Sequence, residues 1–380
     1  MFNKHDVRRN ACQLFGAQAK CGYDWWWHSF TAINDKTGEK RPFFIEYFLC
    51  NPALGTDNAV LGQLPENKSK GIKPSYFMVK AGAWGKGGCQ LHRFFGWNET
   101  KVDFGVPFSV EAADCLATET LLKGSVSVSS EQAQAHPEWL CSSGSMSWNV
   151  KVEKKVAFNV GYGAGSLFRR LQLFEMFWHA EGMKTHYSGE IIFNGEKYTV
   201  YPESCYGYAD KNWGKDFTTP WLWLSSNNLT SEITGKKLID SVFDIGGGRP
   251  KIGFISLKGK LLSAFWYEGK PYEFNFSKFL TFVRTRFYCR ETDDEIIWHV
   301  EQKAIGRRMV TDVRCKKEDM LLVNYESPNG QKRHTRLWNG GNGTGTVCLY
   351  KRGKLIDKIR AENIGCEYGE YDATEPYRAL

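Results

Sequence analysis

The sequence predicts an all-β protein of two antiparallel β-barrel or sandwich domains related by internal duplication, and three observations carry that prediction. Trp, Tyr and Phe make up 15% of the 380 residues, and such side chains favour pleated, half-buried surfaces. The 38 glycines suit many turns between short strands. Five motifs recur in the same order in the two halves, at a period too long for a solenoid. A chain of this length exceeds one ordinary core, and the domains are placed at residues 1–215 and 216–380.

Taken in order, Met1–Lys20 carries His5, Asp6, Arg8 and Arg9 around a broken apolar pattern. It has no apolar signal-peptide core, so no leader is expected. Trp25–Thr31 alternates as a strand, Asn34–Gly38 has hairpin-turn chemistry, and Pro42–Cys50 returns as a second strand. Asn51–Lys73 reads as a long loop, with Pro52 and Pro65 inside it and Pro74 after it. Tyr76–Lys80 and Cys89–Phe95 pair across the Gly85–Gly88 turn. Val106–Ser143 is Ser- and Ala-rich and offers one strand, Ser125–Val128. Strands resume at Ser147–Ala157, Glu190–Phe193 and Lys197–Tyr201, while Ser166–His179 fits a short helix or a bent strand. After Pro220, Trp221–Leu224 is a strand entered from a loop. Glu375–Leu380 reads as a frayed tail.

The second half repeats this order. Trp25-Trp26-Trp27 and Thr37-Gly38 return as Trp221-Leu222-Trp223 and Thr234-Gly235, at separations of 196 and 197. Pro74 returns as Pro250, and Trp148-Asn149-Val150 as Trp298-His299-Val300. Gly189–Lys197 returns as Gly345–Lys354, and Cys205–Asp210 as Cys366–Asp372.

Composition narrows the functions. Eleven cysteines, none spaced as CxxC, read as small core residues of a reducing, cytoplasmic compartment rather than a disulfide framework. A mean hydropathy of −0.44 and no apolar run near 18 residues argue against a membrane-spanning helix. The net charge of +8 is mild and dispersed; it leaves room for peripheral contact with an anionic membrane surface and gives no case for nucleic acid. His179, Glu181 and His186 invite a metal reading, but their spacing fits no familiar zinc signature, so no metal is expected. Gly161–Ser166 and Asn339–Gly345 resemble phosphate cradles, yet neither is a proper nucleotide-binding loop, and both read as β-turns. The sequence gives no ground to expect a cofactor.

The densest chemistry lies in Tyr206–Asn227. Asp210-Lys211-Asn212-Trp213-Gly214, followed by Pro220, Trp221 and Trp223, resembles the acidic-Lys-Asn-Trp-Gly segment and Trp-rich strand of tocopherol cyclases and their bacterial relatives. Asp24-Trp25-Trp26-Trp27-His28 is similar to the acidic-Trp-Trp-aromatic strand of that family and of carotenoid hydratase-like proteins. The resemblance runs from near residue 20 to near residue 230. It implies two lipocalin-like barrels, one of them roomy enough for a ligand, and acid-catalysed cyclisation or hydration of a hydrophobic prenylated substrate without a cofactor. It leaves the substrate itself open, and a non-catalytic carrier of a hydrophobic small molecule is the alternative.

Three residues are candidates for catalysis. Asp210 is either an acid made available by aromatic, apolar surroundings or a turn cap paired with Lys211. Asp24 and His28, four apart, share a strand face with Trp26. They form either a proton-transfer group or a rim pair over core tryptophans. Tyr206 and Tyr208 face one way if that piece is extended. Lys211 and Asn212 either orient the substrate or shape a turn, Trp213 is either a packing wedge between the domains or a ligand contact, and Glu46 is a second strand carboxylate for the same cavity.

Overall fold

The protein is seen in a computed structural model that describes residues 2–62, 64–139, 141–159, 174–249, 251–252, 255–256, 260–278, 282–330 and 336–370. It divides into two compact units, one of Met1–Ala157, Met176–Phe217 and Asn324–His334, the other of Phe158–Glu175, Thr218–Val323 and Thr335–Leu380.

The first unit holds β1 (Tyr23–Asn34), β2 (Lys40–Cys50), β3 (Tyr76–Ala83), β4 (Cys89–Phe95), β5 (Thr100–Asp103), β6 (Ser109–Ala112), β7 (Cys115–Thr118), β8 (Leu121–Val128), β9 (Gly144–Phe158), β10 (Met176–Phe193), β11 (Glu196–Val200) and β12 (Gly207–Gly214). They join in the order β4-β3-β2-β1-β11-β10-β9-β8-β7-β6-β5, with β12 pairing β1 and β10. β4 comes back against β8, so the sheet curls into a barrel. Its core takes one face of the early strands: Trp26, Phe30 and Ala32 of β1, and Phe43, Ile45, Tyr47 and Leu49 of β2. Both faces of these strands are buried, which is why β2 reads as a nearly continuous apolar run.

The second unit holds β13 (Trp221–Ser226), β14 (Asn228–Ser231), β15 (Val242–Gly248), β16 (Lys251–Ile252), β17 (Ile255–Ser256), β18 (Lys260–Tyr267), β19 (Lys270–Phe274), β20 (Arg284–Glu291), β21 (Glu295–Ala304), β22 (Arg307–Lys316), β23 (Met320–Val323), β24 (Arg336–Lys351) and β25 (Lys354–Glu370). Its main path is β19-β18-β15-β13-β25-β24-β22-β21-β20. Laid beside the first unit's path, β13 stands where β1 does, β24 where β10 does and β22 where β9 does. The duplication is therefore present in topology.

Two local details repeat with it. In the first hairpin the Gly38 N–H bonds the Asn34 carbonyl at 2.9 Å, and the Asn34 N–H bonds Glu39. In the second unit Gly235 bonds Ser231 at 2.9 Å and Ser231 bonds Lys236. Both glycines sit at positive φ, +73° and +70°. A Cβ on Gly189 would lie 2.1 Å from the carbonyl oxygen of Asn149 and 3.0 Å from the Cα of Val150. On Gly345 it would lie 2.1 Å from the Asp312 carbonyl oxygen and 3.0 Å from the Cα of Val313.

That match corrects two of the expected echoes. Val150 answers to Val313 on β22, so Trp148 on β9 and Trp298 on β21 are one strand out of step. Tyr208 lies opposite Ser29 and Gly365 opposite Ser225, so the counterpart of Asp210 is Glu367 rather than Asp372. Asp372, Pro250, Gly161–Ser166 and Glu375–Leu380 lie outside the described residues.

Other differences are local. The loop expected over Asn51–Lys73 contains a turn of 3-10 helix at Pro52–Leu54 and a short helix at Pro65–Ser69. Val106–Ser143 holds three strands in place of one, because its apolar residues alternate in runs too short to stand out. Met176–Phe193 is one strand, where Glu190–Phe193 read as β and Met176–His179 as the end of a short helix or a bent strand. Asn339–Gly345 is not a turn but part of β24, its glycines marking register shifts against β25. The short helices follow capping chemistry: Asn3 with Asp6, and Ser129 with Gln132, form capping boxes at Lys4–Arg9 and Ser130–Ala135.

Candidate functional site

The antiparallel register sorts the candidate residues onto two faces of one wall, because residues directly opposite share a face. β12 runs beside β1 with Asp24 opposite Trp213, Trp25 opposite Asn212, Trp26 opposite Lys211, Trp27 opposite Asp210 and Ser29 opposite Tyr208. Asp24, Trp26, His28, Lys211 and Trp213 therefore face the barrel interior. Trp25, Trp27, Tyr208, Asp210 and Asn212 face the other way.

The interior group is a buried ionic network. The Lys211 ammonium pairs with Asp24 and lies 3.9 Å from the Trp26 ring centroid. Burial raises the Asp24 carboxyl against the pull of Lys211, and the Gln13 N–H donates to it at 2.7 Å. The Tyr187 hydroxyl donates to the Tyr208 carbonyl at 2.9 Å, which leaves His28 Nδ1 to donate to that hydroxyl, also at 2.9 Å. Burial holds His28 well below its usual range, so the ring is neutral. Lys154 sits between Glu119 at 2.7 Å and Glu181 at 3.2 Å. Burial pushes the Glu181 carboxyl up to about 7. Asn10 plugs this end of the network, binding Glu119, His179 and the Trp26 indole at 2.8–3.0 Å.

The opposite face carries a different pattern. One rung crosses five strands: His92 (β4), Lys80 (β3), Glu46 (β2), Trp27 (β1) and Asp210 (β12). All five are buried, with exposures of 8, 0, 0, 6 and 6%. Two carboxylates thus flank one indole, with an ammonium beside the second carboxylate. Asp210 Oδ2 accepts from Trp178 Nε1 at 2.8 Å and Tyr208 Oη at 3.2 Å. Glu46 has the Lys80 ammonium at 3.1 Å and the Tyr325 hydroxyl at 3.0 Å; burial raises its carboxyl against both. Between the two, the Trp27 indole N–H is buried and has no hydrogen-bond partner among the described residues.

The neighbouring rung is mostly aromatic: Phe94, Met78, Phe48, Trp25, Asn212 and Trp178. Trp25 stacks on Tyr325 at 5.0 Å and on Phe217 at 5.9 Å. With its side-chain amide turned so that both ends are satisfied, Asn212 accepts from the Trp25 indole at 3.2 Å and donates to the Phe177 carbonyl at 3.1 Å. The result is a wall with an ionisable rung running beside an aromatic one.

Three of the sequence expectations change here. Glu46 does not join Asp24 and His28; it lies opposite Trp27 and so across the sheet from them. Asp210 does not share a face with Trp26 or His28, for the same reason. Tyr206 has φ +44° and stands before β12, so the alternation that would align it with Tyr208 fails; Lys40 lies over its ring instead. Trp213 faces inward and stacks on Phe177 at 5.5 Å. Sequence reading missed Lys80, His92, Trp178 and Tyr325. Hairpin arithmetic finds the place of Glu46: Ile33 opposite Lys40 puts residue 46 opposite residue 27. No such arithmetic reaches Tyr325, which returns from far along the chain. Among the described residues no three His, Cys, Asp or Glu side chains gather as a metal site.

The model of the tocopherol cyclase-like family matches residues 112–281. The match covers less than half of the chain. The matched span includes Asp210–Gly214 and Trp221–Trp223; β1 lies before it. Two solved structures are similar in outline. A putative AttH from Nitrosomonas europaea is 12% identical, with 95% of this chain and 98% of that one covered and a TM-score of 0.46. CghA with Sch210972 is 10% identical, with 93% and 90% covered and a TM-score of 0.49. No curated protein matches the sequence.

Proposed function

We propose that this tocopherol cyclase-like chain is a cofactor-independent acid catalyst that cyclises or hydrates a hydrophobic, prenylated substrate against the outward wall of its first unit. The observation that carries the reading is the buried rung in which Asp210 and Glu46 flank the unpartnered indole of Trp27, beside a rung of aromatic rings. Asp210 is the proton donor. Its carboxyl meets two neutral donors, Trp178 and Tyr208, which stabilise the carboxylate left after transfer. Glu46 is held against an ammonium and is less free to give up a proton.

Transfer of the proton to the less substituted carbon of a trisubstituted alkene leaves a tertiary cation. The faces of Trp25 and Trp27 stabilise such a cation by about 2 kcal/mol or more when water is excluded. In cyclisation a phenol oxygen closes on the cation and its proton returns to Asp210, so mass is unchanged. In hydration water attacks instead, and mass rises by one water. The Trp27 N–H is placed to hold the attacking oxygen.

The test incubates wild type and Asp210→Asn with a panel of prenylated hydroquinones and follows product by mass and retention. The variant keeps size and much of the hydrogen bonding but not the transferable proton. Turnover is expected to fall about 10²- to 10⁴-fold. Full turnover by Asp210→Asn would move the acid to Glu46 or Asp24. Tight binding without conversion by wild type would favour the carrier.

A further inference from the structure

A cavity of about 590 Å³ lies over the seam where β4 meets β8. Ser130–Ala135 and the turn Pro137–Trp139, between β8 and β9, form its roof. Its lining is mixed: Arg93, Ser127, Gln132 and His136 are polar, while Phe94 and Trp139 are aromatic. A smaller recess of about 40 Å³, bounded by Phe48, Tyr76 and Tyr325, shares His92, Phe94 and Trp139 with it. Trp139 is a partition between the two. Its ring stacks on His136 at 4.0 Å and lies 5.1 Å from Phe94.

His92 is also the last residue of the buried rung. Four strand spacings separate it from Asp210, about 19 Å at the usual distance between strands. A substrate whose alkene lies at Trp27 and Asp210 therefore reaches the larger cavity only with its far end. What meets it there is polar but not strongly charged. The Arg93 guanidinium is 2.6 Å from Asp114 and also donates to the Ser125 carbonyl at 3.0 Å, so its charge is largely answered.

Building on the reading above, we propose that the substrate is an elongated amphiphile whose far end carries an uncharged oxygen function, and that the cavity beneath Ser130–Trp139 holds that end. A wholly hydrocarbon tail would strand Ser127, Gln132 and His136 against apolar surface and lose their hydrogen bonds. A carboxylate end would meet an Arg93 whose charge Asp114 already answers. A hydroxyl or carbonyl suits both.

The experiment measures binding of three prenylated hydroquinones of equal length, ending in a methyl, a hydroxyl or a carboxylate. They are compared on wild type, Asp210→Asn and Ser127→Trp. Ser127 is exposed and points away from the barrel core, so its indole fills the cavity with little demand on folding. Ala135→Trp, at the exposed end of the short helix, is a second filling variant. Wild type and Asp210→Asn are expected to bind the hydroxyl-ended probe at least about fivefold more tightly than the other two. Both filling variants are expected to lose that preference. Equal binding of all three probes by wild type, or a preference that survives both fillings, overturns the proposal. A preference without any turnover sustains this assignment and sinks the acid reading. Turnover that depends on Asp210 without any preference does the reverse.

Discussion

At the scale of the residue, the two faces of one wall treat their charges differently. On the outward face each carboxylate has its own partners. Inside, Lys154 must answer both Glu119 and Glu181, and one carboxyl is in surplus. Burial, with Glu119 nearby, pushes Glu181 up to about 7 against the pull of Lys154. The folded chain therefore keeps a proton that the unfolded chain gives up above about 4.3. Stability from this group is present below that value, is lost as pH rises towards 7, and stays lost above. Glu181→Gln should accordingly raise the urea midpoint at pH 8, by up to about 3 kcal/mol in stability, and change little at pH 4. His28, held low by burial, contributes the opposite slope below about 6.5, but it does so in both proteins and cancels in the difference. A variant weaker than wild type at pH 8 would mean that an ionised Glu181 and Lys154 hold the barrel together.

At the scale of the element, legibility tracked whether a position could be counted from a turn. The side-chain period of two placed Asp24, Trp26 and His28 on one face correctly, since all three lie on one strand. The Asn34–Gly38 turn likewise sets β2 in register. Beyond Cys50 the chain makes a long excursion before β3, so nothing local shows that Lys80 meets Glu46. β10 escaped for a different reason. Its 18 residues include His179 and Glu181, polar groups that break the apolar pattern yet face a buried ionic network. Glycine was misread too. At Asn339–Gly345 it suggested a turn, whereas Gly345 is needed because strand β22 passes within 2.1 Å of where a Cβ would stand. The obstacle is backbone and cannot swing aside. Gly345→Ala should cost about 1–3 kcal/mol by overpacking, and hydrogen exchange should quicken at the amides joining β22 and β24. Unchanged protection there would show that the strands separate at no cost, and the equivalence with Gly189 would lose its physical basis.

At the scale of the whole molecule, duplication explains why motifs recur and why only some recur in step. We propose that residues 1–215 and 216–380 are the two copies, with Asn324–His334 of the second copy built into the first unit. That insertion brings Tyr325 to Glu46 and gives the outward wall its aromatic cover, which no single copy would provide. Both copies keep an acid opposite an indole at this position: Asp210 opposite Trp27 in the first and Glu367 opposite Trp223 in the second.

Cysteine usage makes the last prediction for the molecule as a whole. All eleven cysteines carry free thiols; eight are buried, and Cys21, Cys141 and Cys348 are partly exposed. Burial, more than any other cause, raises most of these thiols, Cys12 and Cys366 among them, so little thiolate is present at neutral pH. A thiol reagent should therefore react with at most three groups of the native protein on the time scale of mixing. The rest should react only as fast as the barrels open. In denaturant under anaerobic handling, all eleven should titrate. No helix among the described residues is long and apolar enough to cross a membrane, so location must be argued from such chemistry. A denatured count short by two or more, restored by a reductant, would mean native disulfides. In that case the proposal of a reducing, cytoplasmic compartment would have to be given up.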